Sequence, residues 1–312
     1  MTITERIKEK ALELGFDLVG VTDASPVGTE QVSRLIGWLD AGYAGRMTWL
    51  HSNLEKRTDP AKLLPGAKSV IVVALNYKPA QQKTQAKTAP MGRVAQFAQY
   101  DDYHPFIKKM LRQLADFIAS TTCPMQFKIC VDSTPLLERA LAVRAGLGMI
   151  GKNRMLVNPR LGPQIFLGEI VTNIELDPDK PLKDSCPGCG KCVAACPTGA
   201  LKQDGSFDAT KCISYLTIEA NTDVPAELAP KIGNHLFGCA ECLMACPYQQ
   251  KAPTCANKGF VHHPDRAELN LNEFLNLTEE QFKIKFARSP ILRPGLPHLK
   301  KIAQICIQNL SA

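Results

Sequence analysis

The sequence predicts an α+β chain: an N-terminal α/β domain with a mixed sheet, then a compact cysteine-rich module, then a short helical C-terminal segment. Three observations carry this. At 312 residues the chain exceeds one domain of roughly 150 residues and can bury a sizeable core. Its first half alternates helical and strand periodicity, the pattern of layered α and β structure. Eight of its 12 cysteines, from Cys186 to Cys246, fall within 61 residues, where that alternation stops. The expected parts are residues 1–176, 177–256 and 257–312. Apolar residues at 45% and charged residues at 21% exclude disordered and fibrous classes. The longest clearly apolar stretch, 70–75, is far short of the roughly 20 residues that cross a bilayer. The start, MTITERIKEK, has no apolar export segment, so a cytoplasmic protein with no membrane partner is expected.

Thr2 with Glu5 forms a capping-box signature, the helix it opens runs to about Leu14, and Gly15 is a natural C-cap before the strand-like FDLVGVT. Residues 70–75 form a β-branched run suited to a strand buried on both faces. The polar, proline-flanked KPAQQKTQAKTAP, residues 78–90, reads as an exposed loop. Ile107, Met110, Leu111, Leu114 and Ile118 share one helical face, and 127–131 reads as the next strand. A further helix is expected with Thr134 as N-cap and Pro135 in its first turn, running to Gly146. Residues 155–158, a PRLG turn and 164–172 suggest a hairpin. Residues 177–184 are a proline-rich, charged linker. After Cys255 the pattern is helical and basic. The formal net charge is +7, and nearly all of it lies beyond Gln281, where Lys283, Lys285, Arg288, Arg293, Lys300 and Lys301 have no acidic company. Such a tail suits a phosphate backbone; a solvated helix end has the same composition.

The cysteine spacing is specific. Cys186-Pro-Gly-Cys189-Gly-Lys-Cys192-Val-Ala-Ala-Cys196-Pro197 is the C-x2-C-x2-C-x3-C-P run of bacterial ferredoxins. Three thiolates on a tight loop grip one cubane while the fourth leaves on a helix toward the other. Cys239-x2-Cys242-x3-Cys246-Pro247 repeats the pattern with its first ligand displaced upstream to Cys212. The spacing therefore predicts two [4Fe-4S] clusters, one on Cys186, Cys189, Cys192 and Cys246, the other on Cys196, Cys212, Cys239 and Cys242. A structural zinc site explains four cysteines but not three in a run followed by Cys-Pro. Two interlocked cubanes make an electron wire, and the residues before them are too many to be a mere extension of it.

Gly146-Leu-Gly148-Met-Ile-Gly151 matches a dinucleotide fingerprint, yet it follows a helix and opens none, so that reading fails its context test. Asp132 ends the strand 127–131 just before a helix N-terminus, where ligands of open α/β sheets sit, and Glu138, Arg139, Arg144 and Lys152 make a charged set around an otherwise apolar helix. On these facts Asp132 is either a capping aspartate or a site residue.

The segments VDSTPLLERALAVRAGLGMIGKN, LGEIVTN, CPGCGKCVAACPTGAL, CISYLTIE and CAECLMACPYQ together resemble the epoxyqueuosine reductase family, cobalamin-dependent iron-sulfur enzymes that complete queuosine at the tRNA wobble position. The resemblance runs from about Leu14 to Pro247. It implies a base-off cobalamin held between the N-terminal and ferredoxin-like domains, with no protein ligand to cobalt. Asp102-Tyr-His104 is similar to the histidine-ligand motif of some cobalamin-binding domains, but no glycine follows at the needed offset. Asp132 matches the family's proton donor. Arg57 in EKRTDP, Lys152 and Asn153 match positions near the corrin, and Ser214, Thr217, Ala240 and Glu241 match cofactor-facing stretches of the second domain. Electrons would pass through both clusters to cobalt, and two electrons with two protons would turn the epoxide into an alkene and water. For Asp132 to hold a proton near neutral pH, burial against the corrin must raise its pKa. The implied partners are tRNA carrying epoxyqueuosine and an electron donor such as flavodoxin or ferredoxin, acting on a monomer. Family members commonly continue into a longer helical-repeat domain that helps hold tRNA. Here one helix-like segment, 297–310, is expected, with the basic tail supplying part of the grip. The rival readings are a reductive dehalogenase-like enzyme, a ferredoxin-type electron carrier and a noncatalytic tRNA-binding module.

Overall fold

The computed structural model describes residues 1–80, 89–122 and 124–312; the loop expected over 78–90 falls largely outside them. Its strands are β1 (Leu18–Asp23), β2 (Ser69–Asn76), β3 (Met91–Val94), β4 (Phe127–Cys130), β5 (Met149–Ile150), β6 (Leu156–Val157), β7 (Ile165–Thr172), β8 (His235–Phe237) and β9 (Glu268–Asn270). The principal sheet has the order β1-β2-β7-β4.

β2 is buried along its whole length. Ile71, Val73 and Leu75 point into one core with the helices Ile3–Glu13 and Tyr103–Thr121, while Val70, Val72 and Ala74 point into another with Leu141 and Ala142 of the helix Glu138–Arg144. A strand covered on both faces needs apolar residues at every position, which is why its sequence does not alternate. The expected helical face of Ile107, Met110, Leu111, Leu114 and Ile118 is the buried face. Thr2 and Glu5 form the expected reciprocal cap, and Gly15 takes φ +98 just after the helix.

Three expectations need correction. Pairing in the principal sheet is antiparallel throughout. The mixture expected there occurs in a second sheet, β8-β3-β9, where β3 runs parallel to β8 and antiparallel to β9. Alternating helices and strands suggested crossovers, but β7 inserts between β2 and β4 and reverses the neighbours. The expected hairpin also divides: β6 pairs with β5, Asn158 and Gly162 close the PRLG turn, and β7 leaves for the principal sheet. Lastly, the helix expected from Pro135 begins at Glu138, leaving a tight loop after β4.

The second sheet draws strands from distant parts of the sequence and packs against the C-terminal helices. These are Leu271–Leu275, Glu279–Lys285 and Leu296–Ser311, two more than the single segment expected. Phe274, Phe282, Leu299 and Ile302 fill their common core. Among the described residues no helix is long and apolar enough to cross a membrane.

Candidate active site

The two halves of the cysteine module are built alike. Gly190 at φ +72 and Ala240 at φ +74 each occupy the left-handed region immediately before a one-turn helix, Lys191–Ala194 and Glu241–Met244. The reversal lets the chain wrap its thiols around a volume. A side-chain-free residue serves this at Gly190; alanine at 240 accepts strain in the same role. All eight thiols are free, and among the described residues no three His, Cys, Asp or Glu side chains converge on a single ion.

The thiols sort into two sets by what they face. Cys186, Cys189, Cys192 and Cys246 line a small surface depression with Lys152 and Tyr248, and Cys189 is exposed. Cys196, Cys212, Cys239 and Cys242 line a cavity of about 1610 Å³. Neighbour effects give the same division. Burial raises the Cys242 thiol most, and Cys212, Cys239 and Cys196 raise it further; burial also dominates at Cys192 and Cys246, where Cys186 and Cys189 add to it. Cys192 reaches Cys242 as well, so the two sets abut.

The cavity exceeds the roughly 300–1,000 Å³ of ordinary small-molecule pockets, and it is large enough for a macrocycle. Asp132 faces the same lumen as the inner thiols. It lies in the loop after β4 with φ +52, a conformation that costs a non-glycine residue on the order of 1–3 kcal/mol and persists only when its surroundings impose it. Here the Asp132 N–H donates to Glu138 Oε1 at 2.5 Å, and the Leu137 N–H donates to the Arg57 carbonyl at 3.1 Å.

Asp132 Oδ2 lies 3.3 Å from His104 Nε2, and His104 Nδ1 lies 2.7 Å from Asp102 Oδ1. Asp102 caps the helix Tyr103–Thr121 by accepting from the His104 N–H, which fixes the imidazole at the helix start. Tyr103 stacks between His104 and Phe166, with ring centroids 4.1 and 4.0 Å apart, and its hydroxyl helps lower the Asp132 pKa. Burial opposes a charge on His104, but the bonds and charges of Asp102 and Asp132 outweigh it and push its pKa up to about 9. The His104 hydrogen bond holds Asp132 below the usual carboxylate range, against the effect of burial. In the protein alone, therefore, His104 outweighs burial at Asp132, which favours a charged carboxylate beside a protonated imidazole.

Arg57, Asn153, Ser214, Ala240 and Glu241 reach the cavity with Asp132. Arg57 is steadied by bonds to the carbonyls of Ser52 and Trp49. Lys152 and Thr217 do not share that lumen. Lys152 lies beside the outer thiols, and Thr217 is fully buried, donating to the Ile213 carbonyl at 2.8 Å and accepting from the Gly238 N–H at 2.9 Å. Thr217 is a packing residue because its hydroxyl is consumed by backbone partners. Arg144 straps the end of its helix to Thr22, Asp23 and Ser25.

Sequence reasoning missed His104 and Arg293 as cavity residues. The motif Asp102-Tyr-His104 offers no cobalt ligand, yet an aspartate two positions before a histidine at a helix start is a signal for a held imidazole. Arg293, read as part of the basic tail, turns inward: its Nε lies 2.8 Å from Glu219 Oε1 and its guanidinium 5.8 Å over the Trp49 ring.

Comparison with known proteins adds independent findings. A family model described as epoxyqueuosine reductase QueG, DUF1730, matches residues 57–133, a span containing Arg57, His104 and Asp132. A 4Fe-4S double cluster binding domain matches residues 185–249. The epoxyqueuosine reductase of Escherichia coli (strain K12) is 36% identical over 98% of this chain and 80% of its own length. The structure of epoxyqueuosine reductase from Streptococcus thermophilus aligns with a TM-score of 0.92 at 31% identity, over 100% of this chain and 82% of that one. A crystal structure of an epoxyqueuosine reductase with an epoxyqueuosine-modified tRNA-Tyr stem loop aligns at 0.90 and 33% identity, over 98% of this chain and 80% of that one.

Proposed function

The chain belongs to the epoxyqueuosine reductase family, and on that premise we propose that it reduces epoxyqueuosine to queuosine at the tRNA wobble position. It is an oxidoreductase with a double-cluster [4Fe-4S] domain. One observation carries the mechanistic reading: four thiols and a histidine-paired aspartate line one macrocycle-sized cavity.

The donor set suits two cubanes, the outer on Cys186, Cys189, Cys192 and Cys246, the inner on Cys196, Cys212, Cys239 and Cys242. The cavity suits a base-off cobalamin. His104 is the histidine of the cavity wall among the described residues, and both its ring nitrogens are engaged, which leaves none to ligate cobalt. A cobalamin held between the inner thiols and Asp132 would supply strongly reducing low-valent cobalt, and clusters on the eight thiols would supply its electrons.

The protein's own residues manage the protons. Protonated His104 donates through Nε2 to Asp132 Oδ2, and Asp102 holds the ring in place through Nδ1. As the epoxide C–O bond breaks, Asp132 delivers this proton to the departing oxygen, which would otherwise leave as a poor alkoxide. Tyr103 and the Glu138-held amide keep Asp132 aimed at that oxygen. Across the whole reaction, two electrons and two protons give the alkene and water.

The exposed face of the outer thiols, beside Lys152, is the entry point for electrons from an acidic carrier of the flavodoxin or ferredoxin type. The substrate is tRNA, as in the related complex with a modified stem loop, and the cytoplasm is the compartment that holds it. Anaerobic incubation of the reconstituted protein and cobalamin with epoxide-bearing tRNA, followed by nucleoside mass analysis, tests the function. Loss of one oxygen atom is expected; an unchanged nucleoside overturns the reading.

A further inference from the structure

Glu169 sits within β7, across from Val72 on β2 and Cys130 on β4, with none of its surface exposed. Neither of its carboxylate oxygens receives a hydrogen bond from a described donor. A lone charged carboxylate does not persist in such a place; it takes up a proton. Its polar neighbours are Glu138, Asp132 and Cys130, and the side chain it meets directly is Glu138. Two carboxyl groups can bond only when one of them donates a proton. Burial raises both; Glu138 raises Glu169 further, well beyond the usual carboxylate range, whereas the bond from Glu169 lowers Glu138. The consistent arrangement is Glu169 O–H donating to Glu138, while Glu138 Oε1 accepts from the Asp132 N–H. That amide belongs to the residue with φ +52.

We propose that Glu169 is a positioning residue for the reaction: as the proton-bearing partner of Glu138, it fixes the carboxylate that grips the Asp132 amide and so keeps Asp132 beside His104. This rests on the reading of Asp132 as the acid. Without Glu169, Glu138 loses the donor that orients it, and the loop after β4 loses the contact that imposes its left-handed turn. A glutamine at 169 keeps the volume and supplies an N–H donor, so it preserves the arrangement. A methionine fills the space without one.

The test uses holoenzyme with epoxide-bearing tRNA. Glu169→Met is expected to lower kcat by about 10²-fold, the scale of an ångström-sized misplacement, with KM, iron content and cobalamin binding unchanged. Glu169→Gln is expected to stay within about threefold of the parent, because the geometry is restored. In an Asp132→Asn background, Glu169→Met should add less than about a twofold loss, since both act through one group. A crystal structure of the Glu169→Met protein should show Asp132 Oδ2 withdrawn from its 3.3 Å contact with His104. Parental turnover in Glu169→Met, an equal loss in the Asp132→Asn background, or an unmoved Asp132 overturns the proposal. So does a Glu169→Gln protein as impaired as Asp132→Asn, an outcome that decides the matter even when Glu169→Met fails to assemble. Full turnover in Asp132→Asn alone instead removes the underlying reading of the acid, and this proposal goes with it.

Discussion

His104 Nε2 lies 3.3 Å from Asp132 Oδ2, and in the proposed mechanism this contact keeps the reaction's proton on the imidazole. Asp132 is held in its charged form by His104, so replacing the imidazole removes both the stored proton and the group that aims the carboxylate. His104→Asn is expected to lose about 10²- to 10⁴-fold in turnover, the range for a positioned acid, with iron content and cobalamin binding intact. Parental turnover in that variant would show that the proton reaches the substrate by another route.

The same pair sets a pH dependence with a defined sign. His104 is raised from 6.5 to about 9, so its ion pairs stabilise the fold fully below about pH 6.5 and that contribution is lost as pH rises through 9. With cobalamin bound, kcat/KM should hold through neutral pH and fall on a limb near 9. Asp102→Asn removes one of the two anions that sustain the charge, and the limb should move to lower pH. A limb that stays in place would separate His104 from the rate.

How much of this was legible depends on the range of the forces involved. The double-cluster module was readable because ligand spacing is a local geometric requirement, written in Cys186 to Cys196 and again in Cys239 to Cys246. The buried face of the helix Tyr103–Thr121 was readable because 3.6-residue periodicity is local. The loop carrying Asp132 was not. Thr134 and Pro135 have good helix-start chemistry, but Asp132 is tied to Glu138 and Leu137 to Arg57, and these bonds keep the chain out of the helix until residue 138. The partners of β7 and the parallel pairing of β3 with β8 are contacts between segments far apart in sequence, which no window of residues encodes. Arg293 misled for the same reason: its neighbour Glu219 is distant in the chain, so a count of charges after Gln281 could not show it neutralised.

The basic C-terminal segment therefore divides by partner. Arg293 pairs with Glu219, Arg288 lies 3.6 Å from Asp101, and Lys301 lies 2.6 Å from Asp223, whereas Lys283 and Lys285 are exposed at the end of their helix. Lys283→Glu with Lys285→Glu should weaken tRNA binding and flatten the plot of log affinity against log salt by about 0.7–0.9 per lost phosphate contact. Arg293→Ala should leave that slope unchanged and lower turnover instead, because Arg293 helps hold Asp132 charged. An unchanged slope in the double lysine variant would exclude this face from tRNA contact.

Separation of the thiols into a surface set and a cavity set makes the two clusters distinguishable by mutation. Cys189→Ser removes a ligand from the exposed set and should halve the iron content, leaving the cavity wall and cobalamin binding untouched. Cys212→Ala should also halve the iron, but it opens the wall of the cavity proposed for the corrin and should weaken cobalamin binding. Lys152 provides the sharper discrimination, because the resemblance placed it near the corrin whereas the structure places it beside the surface thiols. If it serves the entry of electrons, Lys152→Glu should slow reduction by an acidic flavodoxin, most strongly at low salt where charge steering is unscreened, with no change in cobalamin affinity or in reduction by a small chemical reductant. A loss of cobalamin affinity with unaltered flavodoxin kinetics would return Lys152 to the corrin side and shift the donor's docking face elsewhere.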